Sequence, residues 1–192
     1  MDDSAQSLWE RAREIQALIV DVDGVLTDGL LYYGESGESL RAFSVRDGLG
    51  LALLREAGYR IAIISGRESK TVRVRARELA IDPVLLGRSD KGAALDEVLR
   101  AFGLPESRVA AMGDDILDAP MLARVGLSFA PQDAHEEIRT RVDLVTQASG
   151  GKGAVREACE FLLRARGQWE AIRNRLSLHG DQSWKRPPTT TV

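Results

Sequence analysis

The chain has 192 residues, 44% of them hydrophobic and 29% charged, with 26 Lys and Arg against 29 Asp and Glu and a net charge of -3. A chain of this length buries about 70% of its unfolded surface, enough for a core without structural metal, and Cys159, the only cysteine, excludes an intrachain disulfide and points to a reducing compartment. No apolar run is longer than that from Ala17 to Val20, which excludes a membrane-spanning helix, and neither end carries the basic cluster that nucleic acid would require.

At the start, Asp2, Asp3, Glu10 and Glu14 precede the first apolar run, the reverse of a basic signal-peptide leader, so a cytoplasmic protein is expected. Short apolar runs then predict strands at Leu18-Ile19-Val20, Ile61 to Ile64, Val84 to Leu86, Val109 to Met112, Leu127 to Phe129 and Leu144-Val145. Between them, helical periodicity occupies Gly48 to Ala57, Lys70 to Leu79, Lys91 to Phe102, Ile116 to Ala123, Ala134 to Arg139 and Gly153 to Arg164. Strand-helix alternation of this kind predicts an α/β three-layer sandwich around a mainly parallel, Rossmann-like sheet. One segment breaks the alternation. Leu30 to Tyr33 and Ser39 to Val45 flank a Gly-rich turn and predict a protruding β-hairpin over about residues 29–45. One domain is expected over residues 1–166, followed by a helical extension over 167–192 whose last ten or so residues, with Lys185-Arg186-Pro187-Pro188, read as disordered.

The chemistry concentrates at strand ends. The first strand runs into Asp21 and Asp23, spaced i, i+2, and this spacing aims both carboxylates to one side. Ligands of parallel sheets bind beyond the carboxyl ends of strands, where these two residues fall. The Val109 strand ends in Gly113-Asp114-Asp115 with Asp118 beyond, and the Ile61 strand ends in Ser65-Gly66-Arg67. If these acids converge, each like-charge pair at about 4 Å costs about 4 kcal/mol at an effective dielectric of about 20, which a bound cation offsets. The donors are all oxygens and neither His135 nor His179 is among them, a set that favours Mg²⁺ over Zn²⁺. Ser65 and the following backbone N–H groups, read as a helix N-terminus, suit a phosphate, and Lys91 adds positive charge. Singly, each residue has a plainer reading: a turn pair at Asp21 and Asp23, a helix cap at Ser65, a surface lysine at Lys91, and acids complementing a helix dipole at Asp114, Asp115 and Asp118.

Together these residues resemble the haloacid dehalogenase-like superfamily of aspartate-nucleophile phosphatases. Asp21-Val22-Asp23-Gly24-Val25-Leu26-Thr27-Asp28-Gly29 looks like its first motif, Ser65 its second, Lys91 its third, and Gly113-Asp114-Asp115 with Asp118 its fourth. The resemblance implies that Asp21 is the nucleophile and Asp23 the general acid and base, with Ser65 and Lys91 gripping the phosphoryl group. It implies Mg²⁺ held by Asp21, the backbone carbonyl of Asp23, and Asp114, with Asp115 or Asp118 orienting Lys91 or a metal-bound water.

Neither interval between these motifs holds a cap domain, so a neighbouring subunit is expected to close the site. Leu30, Tyr32 and Leu40 on the hairpin call for a partner surface. The pattern resembles the capless branch that dephosphorylates 3-deoxy-D-manno-octulosonate 8-phosphate, a precursor of lipopolysaccharide, whose members are homotetramers with shared sites. Phe43-Ser44-Val45-Arg46-Asp47-Gly48, Ser65-Gly66-Arg67 and Gly150 to Glu157 carry that resemblance. It implies substrate contacts from Asp23, Ser44, Val45, Arg46, Asp47, Gly48, Gly66, Arg67, Arg75 and Lys91. Helical projection does not select Arg75 over Arg77, so its choice rests on the resemblance, and surface salt bridges are the plainer reading of Arg46 and Arg75. The chain departs from the branch at Leu49-Gly50-Leu51-Ala52, where an arginine is common. Gly150 to Gly153 fits either a loop before a helix or a sleeve entering a neighbour's site. A phosphatase for a nine-carbon sialic-acid-type sugar phosphate, or a catalytically silent protein of the same fold, are the other readings.

Overall fold

The computed structural model describes residues 3–35 and 37–177. Its elements run α1 (Asp3–Glu14), β1 (Ala17–Val20), β2 (Tyr32–Gly34), β3 (Gly37–Leu40), α2 (Val45–Glu56), β4 (Arg60–Ile64), α3 (Lys70–Glu78), β5 (Val84–Leu85), α4 (Lys91–Phe102), β6 (Val109–Met112), α5 (Ala119–Leu122), β7 (Leu127–Ala130), α6 (Glu136–Arg139), β8 (Leu144–Val145), α7 (Ala154–Ala165) and α8 (Trp169–Ser177). The residues expected to be disordered at the C-terminal end lie outside the described ones.

Six strands form a parallel sheet in the order β5-β4-β1-β6-β7-β8. β1 lies inside it, with all four residues buried, and its alternating side chains serve two cores. Leu18 and Val20 join a cluster with Leu54, Val155 and Leu162, while Ala17 and Ile19 face Leu95, Val98 and Met121 on the other side. The predicted α/β sandwich is therefore what forms, because strands covered on both faces must be apolar throughout. Val20 pairs with Ile63 on β4 and Met112 on β6, so the next residues, Asp21, Ile64 and Gly113, emerge together at one end. Among the described residues no helix is long and apolar enough to cross a membrane.

Two departures from expectation are largest. The second hairpin strand stops at Leu40 rather than Val45, because Ser44 caps α2: its Oγ accepts the Asp47 N–H at 3.3 Å. At the start, α1 occupies a stretch assigned no element, and its Ala12, with Ile15 just beyond, is fully buried against the sheet.

Asp47 ties α2 to α7. Its carboxylate oxygens accept the N–H groups of Gly153 at 3.2 Å and Arg156 at 2.8 Å, where α7 begins. Burial raises the pKa of this carboxyl, and the backbone donors partly offset the rise. Asp47→Ala leaves both donors without their acceptor, and a loss of about 1–3 kcal/mol in urea unfolding is expected. An unchanged midpoint would show that the cap contributes nothing.

Candidate active site

The strand-end positions of Asp21, Ser65 and Asp114 are fixed by register, and the turn after β1 completes the site. The Val22 carbonyl accepts N–H groups from Leu26 at 2.9 Å and Thr27 at 3.0 Å, which folds the chain back tightly. Gly24 sits in that turn at φ +80°, and a Cβ there would lie 2.0 Å from the Asp114 Oδ2. Only glycine lets the turn approach the second acidic loop so closely. Gly150 seals the turn from behind, where a Cβ would meet the Gly24 carbonyl oxygen at 1.7 Å. The Gly151 N–H donates to the Val25 carbonyl at 2.9 Å. Within this chain, then, Gly150 and Gly151 brace the chain's own turn after β1.

Asp21, Asp23, Ser65, Gly66, Arg67, Lys91 and Asp114 all line one cavity of about 300 Å³. Leu117, which sequence reasoning did not single out, lines it too. Carboxylate oxygens of Asp21, Asp114 and Asp118 lie within 4.8 Å of one another. Lys91, the first residue of α4, is buried with its Nζ 3.0 Å from Asp21 Oδ1 and in an ion pair with Asp118 Oδ1. Asp118 also accepts the N–H groups of Asp114 at 3.0 Å and Asp115 at 3.1 Å through Oδ2. Of the two acids expected to orient Lys91, the structure thus places Asp118 there. Asp115 instead caps its own turn, accepting the Ile116 N–H at 2.7 Å.

These contacts set the charge of the site. Burial drives the Asp21 pKa upward, against the pull of Lys91 and with the push of Asp118. Burial likewise raises Asp114, with repulsion from Asp21 and Asp118 added, to about 8. Burial alone would lower Lys91, but Asp21 and Asp118 outweigh it and hold its pKa up. One lysine therefore leaves the acidic cluster short of positive charge. A hard divalent cation on Asp21 and Asp114 fits this all-oxygen donor set.

Ser65 departs from expectation in one respect. α3 starts only at Lys70, capped by Ser69, so the Ser65-Gly66-Arg67 turn is not a helix N-terminus. Ser65 Oγ accepts the Arg67 N–H at 3.3 Å and holds the turn against the cavity.

The remaining residues assigned to substrate lie apart from the cavity lining. Ser44 and Asp47 are occupied as caps, and Val45 and Arg46 are exposed on the first turn of α2. The Arg75 guanidinium lies over Gly48, where a Cβ would stand 2.2 Å from Nη2, and its Nη1 donates to Glu78 at 3.2 Å. Sequence reasoning missed one buried group entirely: Arg41, whose Nη1 is 2.5 Å from Asp23 Oδ1. No motif marks that arginine.

A buried aspartate held by lysine at the end of a central parallel strand, with a second acid two residues on and a third just beyond the neighbouring strand, defines a haloacid dehalogenase-like hydrolase. A family model of that description matches residues 84–157. The chain is 45% identical over 158 residues to 3-deoxy-D-manno-octulosonate 8-phosphate phosphatase KdsC of Escherichia coli strain K12, covering 82% of this chain and 84% of the relative. Among solved structures, the corresponding phosphatase of Moraxella catarrhalis, in complex with magnesium ion, phosphate ion and KDO, superposes with a TM-score of 0.86 at 36% identity, over 89% of this chain and 98% of that one. The cobalt-bound form of the Haemophilus influenzae phosphatase gives a TM-score of 0.85 at 38% identity, over 88% and 99%. This chain belongs to the 3-deoxy-D-manno-octulosonate 8-phosphate phosphatase family.

Proposed function

We propose that the chain is an Mg²⁺-dependent phosphatase that hydrolyses 3-deoxy-D-manno-octulosonate 8-phosphate to the free sugar acid and phosphate, in lipopolysaccharide precursor synthesis. The observation that carries the reading is the intact Asp21–Lys91–Asp118 arrangement beside Asp114, in a chain 45% identical to a phosphatase of that substrate. Asp21 attacks phosphorus, forming an aspartyl-phosphate as the bond to the sugar oxygen breaks, and Asp23 gives that oxygen its proton. Asp23 then takes a proton from water, whose oxygen displaces Asp21 and releases phosphate. Lys91 and Ser65 hold the phosphoryl oxygens, and Arg67, at the cavity wall, faces the rest of the anionic substrate. Asp21, Asp114 and the backbone carbonyl of Asp23 would hold Mg²⁺, which supplies charge neutralisation to the phosphoryl oxygens when bound.

Arg46, Gly48 and Arg75, outside the cavity, are assigned to the substrate as it extends towards the junction of α2 and α3, or to a neighbour's site in a homotetramer. Leu30, Tyr33 and Leu40 are 58%, 66% and 67% exposed on the hairpin, which supports such an assembly.

With Mg²⁺ present, the octulosonate phosphate is expected to outperform p-nitrophenyl phosphate and a nine-carbon sugar-acid phosphate in kcat/KM. Equal turnover of the aryl ester contradicts the assignment, and preference for the nine-carbon ester moves it to that substrate.

The acidic cluster also fixes how Mg²⁺ binding depends on pH. Without metal the folded protein keeps a proton on Asp114 up to about pH 8, whereas the unfolded carboxyl loses it near its ordinary value of 3.8. Between those values the folded state binds more protons, so metal-free stability falls as pH rises. A cation replaces those protons, and the rise in Tm on adding Mg²⁺ is expected to be larger at pH 8 than at pH 6. Equal shifts at both pH values contradict binding at this cluster.

A further inference from the structure

We propose that Arg41 is the positioning residue for Asp23, so that the exit strand of the hairpin holds the acid–base carboxylate of the site in its working orientation. The inference rests on the phosphatase reading above.

Arg41 directly follows Leu40, the last residue of β3, and turns inward while Leu40 faces solvent. Its side chain is only 1% exposed, and Nη1 stands 2.5 Å from Asp23 Oδ1. A guanidinium withdrawn this far from water is costly unless it is paired, so the contact is held far more firmly than a surface bridge such as Arg73 with Glu68, both about half exposed. Arg41 is not among the residues lining the cavity, whereas Asp23 is. Asp23 is thus the cavity residue through which the buried ion pair reaches the chemistry.

The geometry suits that part. Asp23 sits on the turn closed on the Val22 carbonyl, and the ion pair holds its carboxylate through Oδ1. Proton transfer demands hydrogen-bond reach of the leaving oxygen, and a displacement of about 1 Å costs about 10²-fold.

The test compares kcat/KM for the sugar-acid phosphate, whose alkoxide leaving group needs a proton, with that for p-nitrophenyl phosphate, whose leaving group does not. Arg41→Met is expected to lose about 10²-fold on the sugar ester and no more than about threefold on the aryl ester. Arg41→Lys restores most of the loss, and Arg41→Met adds no further loss in an Asp23→Asn background. Equal losses on both esters, or a full Arg41→Met loss in the Asp23→Asn background, assign Arg41 to general folding and overturn the proposal. So does the absence of any loss. Should Arg41→Met fail to fold by circular dichroism, Arg41→Lys alone decides: a smaller loss confined to the sugar ester is expected, and one shared by both esters overturns the proposal. Wild-type protein inactive on both esters counts against the phosphatase reading itself.

Discussion

Asp21→Asn is expected to reduce phosphate release by about 10⁴-fold or more while the protein remains folded. The loss follows because the amide cannot form the covalent bond to phosphorus, and Lys91 and Ser65 cannot substitute for it. The stability part follows from the same electrostatics. Ionised Asp21 is disfavoured in the folded state, since burial and Asp118 raise its pKa despite Lys91. Removing that charge relieves repulsion with Asp114 and Asp118, so metal-free Tm at pH 8 should stay level or rise, as at other sites where function opposes stability. The stabilisation by Mg²⁺ should shrink in the variant because a ligand is lost. Wild-type-like turnover would remove Asp21 as nucleophile, and a collapse of Tm would show that the carboxylate is structural.

Lys91→Met is expected to be the most destabilising substitution in the site, by about 3 kcal/mol at pH 8, and to abolish turnover as well. Lys91 is buried between two buried acids, so removing it strands like charges in a dry environment. The pH dependence separates this cause from simple loss of packing. Asp21 is already held above the ordinary carboxylate range, and without Lys91 it loses the attraction that restrains it. Its folded-state pKa then exceeds its unfolded value by more, so the penalty is felt above the folded-state value and fades as pH falls through it. Urea unfolding at pH 5 and pH 8 measures the difference. A cost equal at both pH values would point to packing rather than charge.

The parts of the site that could be read from sequence lie where local rules apply. Ala17 to Val20 runs unbroken and apolar because β1 is covered on both faces, and that same run places Asp21 at a strand end. Lys91 to Phe102 carries both its cap, Asp90, and its stop, Gly103, next to it in the chain, and its predicted limits are those observed. What escaped depends on contacts between distant positions. Asp47 meets Gly153, 106 residues on, so a residue assigned to substrate by resemblance is occupied as a helix cap. Arg41 lies 18 residues from Asp23, and a single arginine after a hairpin announces nothing locally. α1 had a signal in Leu8, Trp9, Ala12 and Ile15, an apolar face at helical spacing, but Glu10, Arg11, Arg13 and Glu14 break it into fragments too short to stand out. The periodicity starts α3 at Lys70, as observed, but Ser65 suits a cap as well as Ser69 does, and it is Ser69 Oγ that accepts the Val72 N–H.

A crystal structure grown with Mg²⁺ and beryllium trifluoride, a mimic of a phosphoryl group on a carboxylate, tests the site most directly. Beryllium should be joined to an Asp21 oxygen, with Lys91 and Ser65 on its fluorines and the cation between Asp21 and Asp114. Beryllium on any other side chain, or a cation out of reach of Asp114, would contradict the covalent chemistry assigned to this cavity.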